Sequence, residues 1–302
     1  MDDVTPPSPE PDPTLRDLPA APPPPPPPPP AAPSVPSVPS VAPAPGVWSD
    51  GLRLAVGTLT VVPTPPPSRV DRDVARAGAL LAPVAALPLG LAVTAVLLIG
   101  NLAETPAFLT GLIAVATLAL LTRGLHLDGL SDTVDGLSAS YDRARALEVM
   151  RRGDVGPSGA VALVVVLGLQ ATAFGLLSTA DAGALLAGVA VVVSRWAVPS
   201  ACAAGVPAAR PDGLGAAMAG TVPAVRVVLG WCVAVGLVAA TAAIADVPGI
   251  GALRGAAAVV VGAAALALLL RRAAARLGGV TGDVFGAGVE TALTAVLVTL
   301  LV

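Results

Sequence analysis

"ALLAPVAALPLGLAVTAVLLIGNL", residues 79–102, runs for 24 positions without one ionisable side chain. At about 1.5 Å of rise per residue, a helix of that length crosses the roughly 30 Å hydrocarbon core of a bilayer. No water is available there, so backbone groups must bond to one another, and a helix meets that demand within a single segment. Apolar runs of similar length recur near 107–127, 158–179, 183–204, 223–244, 252–270 and 286–302. The expected fold class is therefore all-α, a polytopic membrane protein of about seven transmembrane helices. The stretch "VWSDGLRLAVGTLTVVPTP" ahead of them is short and interrupted, and reads as an interfacial segment.

Composition agrees with this. Of 302 residues, 55% are hydrophobic and only 2% aromatic, so the apolar content is mainly Ala, Val, Leu and Gly. Mean hydropathy is +0.82, far above that of an ordinary soluble domain. Small side chains let membrane helices approach closely. All 17 basic residues are arginine, which reads as the signature of a GC-rich genome. The net charge of −3 identifies no partner, and no nucleic-acid partner is expected. Cys202 and Cys232 lie in or beside apolar stretches and suggest neither a disulfide framework nor a zinc site.

Residues 1–46 are a different kind of polymer. Pro22 to Pro30 is an unbroken proline run, followed by "APSVPSVPSVAPAPG". Proline has no backbone donor and disfavours helix in the residue before it, so a disordered proline-rich arm sampling polyproline II is expected. It lacks the charged-then-apolar pattern of a signal peptide. The expected division is this arm, 1–46, and an integral-membrane catalytic domain, 47–302.

Arginine placement gives the topology. Arg69, Arg72 and Arg76 precede the first span, and Arg143, Arg145, Arg151 and Arg152 separate the second from the third. Arg210 falls between the fourth and fifth, and Arg271, Arg272 and Arg276 follow the sixth; the opposite loops hold only Arg254. The positive-inside rule places these loops and the amino terminus in the cytoplasm and the carboxyl terminus outside, in a multi-pass protein of the cell membrane.

Against that background "HLDGLSDTVDG", residues 126–136, is anomalous: 12% of the chain is charged, yet three aspartates fall within eight positions. A carboxylate at the bilayer centre costs roughly 2.5–3.5 kcal/mol on insertion scales. Asp128, Asp132 and Asp135 stand at i, i+4 and i+7, within an arc of roughly 60° on one helix face. Like charges on one stripe repel. A hard divalent cation resolves the repulsion, and Mg²⁺ favours carboxylates together with phosphate oxygens. The bland alternative is a solvated helix end. Gly124, Gly129 and Gly136 are expected to allow close approach of a ligand or a neighbouring helix. His126, the chain's only histidine, points away from Asp128 in a helix and suits a structural hydrogen bond as well as a catalytic role.

"GLHLDGLSDTVDGL", "RALEVMRRGDVGPSGAVAL" and "LGGVTGDVFGAGVE" resemble the three motif blocks of the cobalamin synthase family, the adenosylcobinamide-GDP ribazoletransferases. The resemblance covers about Leu52 to the end. It implies a polytopic membrane transferase of a substituted phosphate group, with Mg²⁺ as cofactor. Its substrates would be adenosylcobinamide-GDP and α-ribazole or α-ribazole 5′-phosphate, and its products GMP and adenosylcobalamin or its 5′-phosphate. By analogy with the related CDP-alcohol phosphotransferases, Asp128 and Asp132 would hold metal, and Asp135 would hold metal or act with Asp132 as the catalytic group.

The second block departs from the family pattern. Arg152 and Asp154 exchange the acidic and basic positions, although Arg151 and Arg152 still offer planar forks for phosphate. In the third block Asp283 and Glu290 stand two turns apart, and Leu293 occupies a position where many members carry a second glutamate. The alternative for Asp283 is a simple helix cap. Ser194 and Arg195 complete the candidate substrate-binding set with His126, Asp283 and Glu290, because an arginine inside a span needs a polar cavity.

Two rival functions stay open at this point. One is a lipid-making CDP-alcohol phosphatidyltransferase, whose downstream alanine–arginine and paired-aspartate pattern is missing after Gly136-Leu137-Ser138. The other is a transporter, which calls for acids near span centres rather than at cytoplasmic ends.

Overall fold

The structure, a computed structural model, describes residues 46–245 and 249–302. The proline-rich arm expected over 1–46 lies, apart from Gly46, outside the described residues. Among those residues the fold is all helical, with two isolated bridges in place of a sheet.

The described residues open with a short helix, α1 (Val47–Leu59), packed on α2 (Arg72–Ala85). This pairing places Leu54 against Val47, Val74 and Ala77, so the stretch read as interfacial is a helix with a buried face. The Asp50 carboxylate accepts the backbone N–H of Ser68 at 3.0 Å and the Ser68 hydroxyl, which ties the turn back onto α1. Helix α2 runs into α3 (Leu87–Leu102), and together they form one apolar span of 31 residues.

Further spans are α7 (Pro157–Leu177), α11 (Ala224–Ala243), α12 (Ala252–Leu277) and α13 (Gly282–Leu301). Another is formed by α8 (Asp181–Ser194) with α9 (Ala197–Ala201), counted as residues 182–201. That span and α13 are each 72% buried, against 22% for α11 and 28% for α12, so the first two form the axis of the bundle. Small residues make the contacts close: Gly111 lies against the Ala171 carbonyl, and the Gly90 carbonyl lies against Gly188. Among the described residues six helices or helix pairs are long and apolar enough to cross a membrane, and seven if a bent pair is one span.

The bent pair corrects one expectation. The second span was read as continuous over 107–127 with the aspartates at its end. Instead α4 (Ala107–Leu121) stops, and α5 (Leu125–Ala139) leaves at 92° to it. Arg123 and Gly124 both adopt left-handed backbone, at φ 56° and 69°, and the Gly124 N–H returns to the Ala119 carbonyl at 2.8 Å. This is a helix stop, since a left-handed residue just past the last turn satisfies orphan carbonyls. Gly124 has no neighbour that a Cβ would meet, so it serves backbone geometry rather than the close approach expected of it. The Arg123 guanidinium donates to the Gly57 carbonyl, and the Val61 N–H to the Leu121 carbonyl, which pins the corner to α1.

One end of the bundle carries a polar cap built from α5, α6 (Arg143–Arg152), the 203–223 segment with its short helix α10 (Gly213–Met218), and the α12–α13 turn. Arginines bind it to backbone carbonyls: Arg143 to Ala209, Arg210 to Leu147, Arg276 to Ser140 and Arg76 to Thr221. Ala209 and Val280 add a backbone bond at 2.9 Å. The arginine-bearing loops read from the sequence as one face are thus physically joined.

Candidate active site

Helix α5 sits between α13 and α7, and its sequence fits that position. Gly129 faces the Asp283 backbone, where a Cβ would come within 2.6 Å of the carbonyl oxygen. Across the same seam a Cβ on Gly286 would lie 3.0 Å from the Cα of His126. Gly136 fits against the Met150 side chain of α6, as close approach there required. The glycine-dense third block therefore folds as a turn, with Gly278 and Gly279 at φ 77° and 152°, followed by helix α13, which is held by close contact with α5 rather than by its own propensity.

That contact brings two sequence-distant acidic groups together. Asp128 is exposed and Asp132 is 8% exposed, and Asp128, Asp135 and Asp283 all act electrostatically on Asp132. The cation facing them is Arg210, whose Nη1 lies 4.0 Å from Asp283 Oδ2. Asp283 does not cap its helix: Thr281 does, accepting the Val284 N–H, while the Thr281 hydroxyl donates to Asp283 Oδ2 at 3.1 Å.

Asp135 is differently placed. Its Oδ2 accepts the Gly156 N–H at 2.8 Å and its Oδ1 the Gly159 N–H at 2.9 Å. Both amides belong to the first turn of α7, which has no side-chain cap of its own. The favourable site for an anion at a helix N-terminus is filled by a carboxylate from α5.

A cavity of about 310 Å³ opens beside Asp128, Asp283 and Arg210. Much of the remaining lining is apolar, including Leu54 and Leu59 of α1, Met218 of α10 and Phe285 of α13, with Thr58, Asp212 and Thr281 as polar members. His126 lines this cavity and also faces a second, buried polar group. There Glu290 Oε2 accepts Gln170 Nε2 at 2.7 Å, Glu290 Oε1 stands 3.9 Å from His126 Nδ1, and Arg195 acts on Glu290 electrostatically. Arg195, 1% exposed, donates from Nη1 to the Val191 carbonyl and to the Ser194 hydroxyl, both at 2.9 Å. Neither ring nitrogen of His126 has a hydrogen-bond partner among the described residues, so the structural hydrogen bond weighed for it is not formed.

Arg151 and Arg152 lie on exposed α6. Arg151 pairs with Asp212 at 3.3 Å and Arg152 with Glu148 at 2.8 Å. The Arg152 hydrogen bond holds the Glu148 carboxyl below the usual carboxylate range. Arg152 borders a second cavity of about 210 Å³, together with Asp135 and Asp154.

The oxygen donors beside the large cavity suit a hard cation. No three acidic, histidine or cysteine side chains form a ready cage among the described residues. Mg²⁺ ordinarily uses one or two carboxylates and completes its shell with waters and substrate phosphate oxygens. An exposed Asp128 beside a half-covered Asp283 fits that mode of binding.

Residues 51–301 match the cobalamin-5-phosphate synthase family. The chain belongs to that family. It is 52% identical over 248 residues to an adenosylcobinamide-GDP ribazoletransferase of Nocardioides sp., covering 82% of this chain and 96% of the relative. An adenosylcobinamide-GDP ribazoletransferase of Frankia casuarinae is 42% identical over 258 residues, covering 81% and 92%. One from Bradyrhizobium diazoefficiens is 35% identical over 241 residues, covering 80% and 88%. No solved structure matches the chain.

Two polar residues of this cobalamin-5-phosphate synthase family member escaped the sequence reading as site candidates. Arg210 entered it only as a topology marker, although it adjoins Asp212 in a polar break between apolar runs. Gln170 is the chain's only glutamine and stands within an apolar span, where an amide needs a partner. That isolation was the available signal.

Proposed function

We propose that this chain is an adenosylcobinamide-GDP ribazoletransferase. It joins adenosylcobinamide-GDP to α-ribazole, or to α-ribazole 5′-phosphate, and releases GMP. The product is adenosylcobalamin or its 5′-phosphate. The family membership and the relatives' activity support the reaction, and residues 47–302 form the catalytic domain in this reading. The observation that carries the site is the convergence of Asp128 from α5 with Asp283 from α13, facing Arg210 at the rim of one cavity, with the buried Asp132 within their electrostatic reach.

In the reaction a ribose hydroxyl of the nucleoside attacks the phosphorus bonded to the cobinamide side. The 5′ oxygen is not the nucleophile, since the 5′-phosphate is also a substrate. A new P–O bond forms, the diphosphate bridge breaks, and GMP leaves with the bridging oxygen. Asp128 and Asp132 would hold Mg²⁺, which when bound neutralises phosphate charge. Arg210 reaches the same place with a rigid fork suited to phosphate. A carboxylate of the Asp128, Asp132 and Asp283 set accepts the hydroxyl proton. Asp135, with both oxygens engaged by amides, positions α7 against α5. Arg151 and Arg152, which do not line the cavity at Asp128, are less suited to this phosphate than Arg210, which does.

The polar cap faces the cytoplasm in this reading, because its loops carry the arginines. The test is purified protein in detergent with adenosylcobinamide-GDP, α-ribazole and Mg²⁺. GMP and adenosylcobalamin should appear in equal amounts, and chelation of Mg²⁺ should stop both. An active protein indifferent to chelation would remove the metal, and a protein that releases no GMP would remove the function.

A further inference from the structure

The cavity beside Asp128 is small for the reaction it adjoins. At about 310 Å³ it lies at the lower end of the range of roughly 300–1,000 Å³ for ligand pockets. One nucleoside-sized group fits such a volume, but a corrin macrocycle with its amide side chains does not. The corrin ring must stay outside, leaving three candidates for the interior: the guanosine of the GDP group, the adenosyl ligand of the corrinoid and the base of the incoming nucleoside.

The walls decide among them. Besides Asp128, Asp283 and Arg210 the lining holds Thr58, His126, Asp212 and Thr281, but much of it is the apolar set Leu54, Ala55, Leu59, Val198, Met218 and Phe285. Guanine and adenine each present several edge donors and acceptors, and against the apolar part of this wall those groups would lose their water without a replacement. The Thr58 hydroxyl, at the same wall, already donates its proton to the Leu54 carbonyl at 2.6 Å. A dimethylbenzimidazole has an edge of two methyl groups and a benzene ring, with nothing to satisfy. Phe285 offers an aromatic surface and Met218 a polarizable sulfur, both suited to a flat ring.

We propose that this cavity seats the benzimidazole base of the incoming nucleoside, with its ribose at the Asp128–Asp283–Arg210 rim and the phosphates of the corrinoid substrate beyond. The assignment rests on the transferase reading and adds to it. It makes α1 a wall of the substrate site, and it makes Ala55 and Met218 determinants of base size.

The test uses full-length protein and two variants of opposite effect. Ala55→Leu fills the cavity, and Met218→Ala enlarges it. Steady-state constants are measured for α-ribazole, for the riboside of unsubstituted benzimidazole, and for adenosylcobinamide-GDP. Ala55→Leu should raise the KM for α-ribazole at least tenfold and shift preference about tenfold toward the unsubstituted base. The KM for adenosylcobinamide-GDP should change less than twofold. Met218→Ala should weaken selection between the two bases about tenfold, which keeps the test in force if Ala55→Leu folds poorly. If either variant instead raised the KM for adenosylcobinamide-GDP, or if both left base preference unchanged, the seat would be wrong while the transferase reading stood. Absence of GMP release by the unaltered protein would strike the transferase reading itself.

Discussion

Gly129 lies directly against the backbone of Asp283, so near that a Cβ would come within 2.6 Å of its carbonyl oxygen and 3.0 Å of its Cα. The contact joins the first and third motif blocks and sets how near Asp283 can come to Asp128 and Asp132. It also explains why a glycine follows Asp128, since any larger residue drives the two helices apart.

Gly129→Ala therefore tests the geometry of the site rather than its chemistry. The opposing atoms are backbone and cannot swing aside, so a helix must shift. Overpacking of this kind costs about 1–3 kcal/mol. GMP release should fall at least tenfold with a lower melting temperature, while the acidic residues remain intact. Normal activity would show that α5 and α13 are not held in this register during turnover.

The three aspartates of α5 should separate by role. Asp128→Asn removes an anionic oxygen at the rim and Asp132→Asn a buried one on which Asp128 and Asp283 act, and each should reduce turnover at least a hundredfold, about 2.7 kcal/mol in the barrier. Expression and melting should be little changed. Asp135→Asn keeps one acceptor for the α7 amides but loses the charge at its N-terminus, and so should lower melting temperature more than it lowers kcat. Equal kinetic losses and equal stability in all three variants would restore Asp135 to the chemical set.

The buried polar group predicts coupling between distant helices. Glu290→Leu removes the acceptor of Gln170 Nε2 and the carboxylate that acts electrostatically on the 1% exposed Arg195, and should lower the melting temperature. Arg195→Met in the same chain should recover more than half of the lost melting temperature. Additive damage in the double variant would mean that the two residues do not share one environment.

The span pattern was legible in the sequence because lipid imposes it: apolar length alone located the helices, although the first begins at Arg72 rather than 79 and the sixth runs to Leu277 rather than 270. The corner between α4 and α5 was not. Hydropathy is continuous through Leu121, and the break is made by left-handed backbone at Arg123 and Gly124, which an apolar count does not register. The aspartate stripe was visible from its spacing, yet its division was not. The amides of Gly156 and Gly159 that engage Asp135 come from another helix, and no local pattern announces them. Arg210 was invisible as a site residue for the same reason, since only the docking of the 203–223 segment onto α6 and α13 brings it to Asp283.

The orientation of the polar cap is tested by cysteine labelling after Cys202 and Cys232 are replaced. Cysteines at the exposed positions Asp142 and Asp212 should react only with reagent admitted to the cytoplasm. One at exposed Thr179, beyond the far end of α7, should react only from outside. The opposite pattern would invert the topology and move the site to the other compartment.

Asp283 separates charge from capping most cleanly. Thr281 is the N-cap of α13, and its hydroxyl both accepts the Val284 N–H at 3.3 Å and donates to Asp283 Oδ2. Asparagine at 283 retains an oxygen to accept from Thr281, so Asp283→Asn should leave melting temperature nearly unaltered. It removes the charge that faces Arg210 and acts on Asp132. If that charge serves phosphate or proton transfer, kcat/KM should fall at least a hundredfold, about 2.7 kcal/mol. Thr281→Val supplies the converse, losing a cap worth about 1 kcal/mol of stability while keeping the carboxylate. Its melting temperature should drop, with a smaller change in kcat/KM. Unchanged kinetics in a normally melting Asp283→Asn variant would confine the reactive carboxylates to α5 and leave the approach of α13 a matter of packing alone.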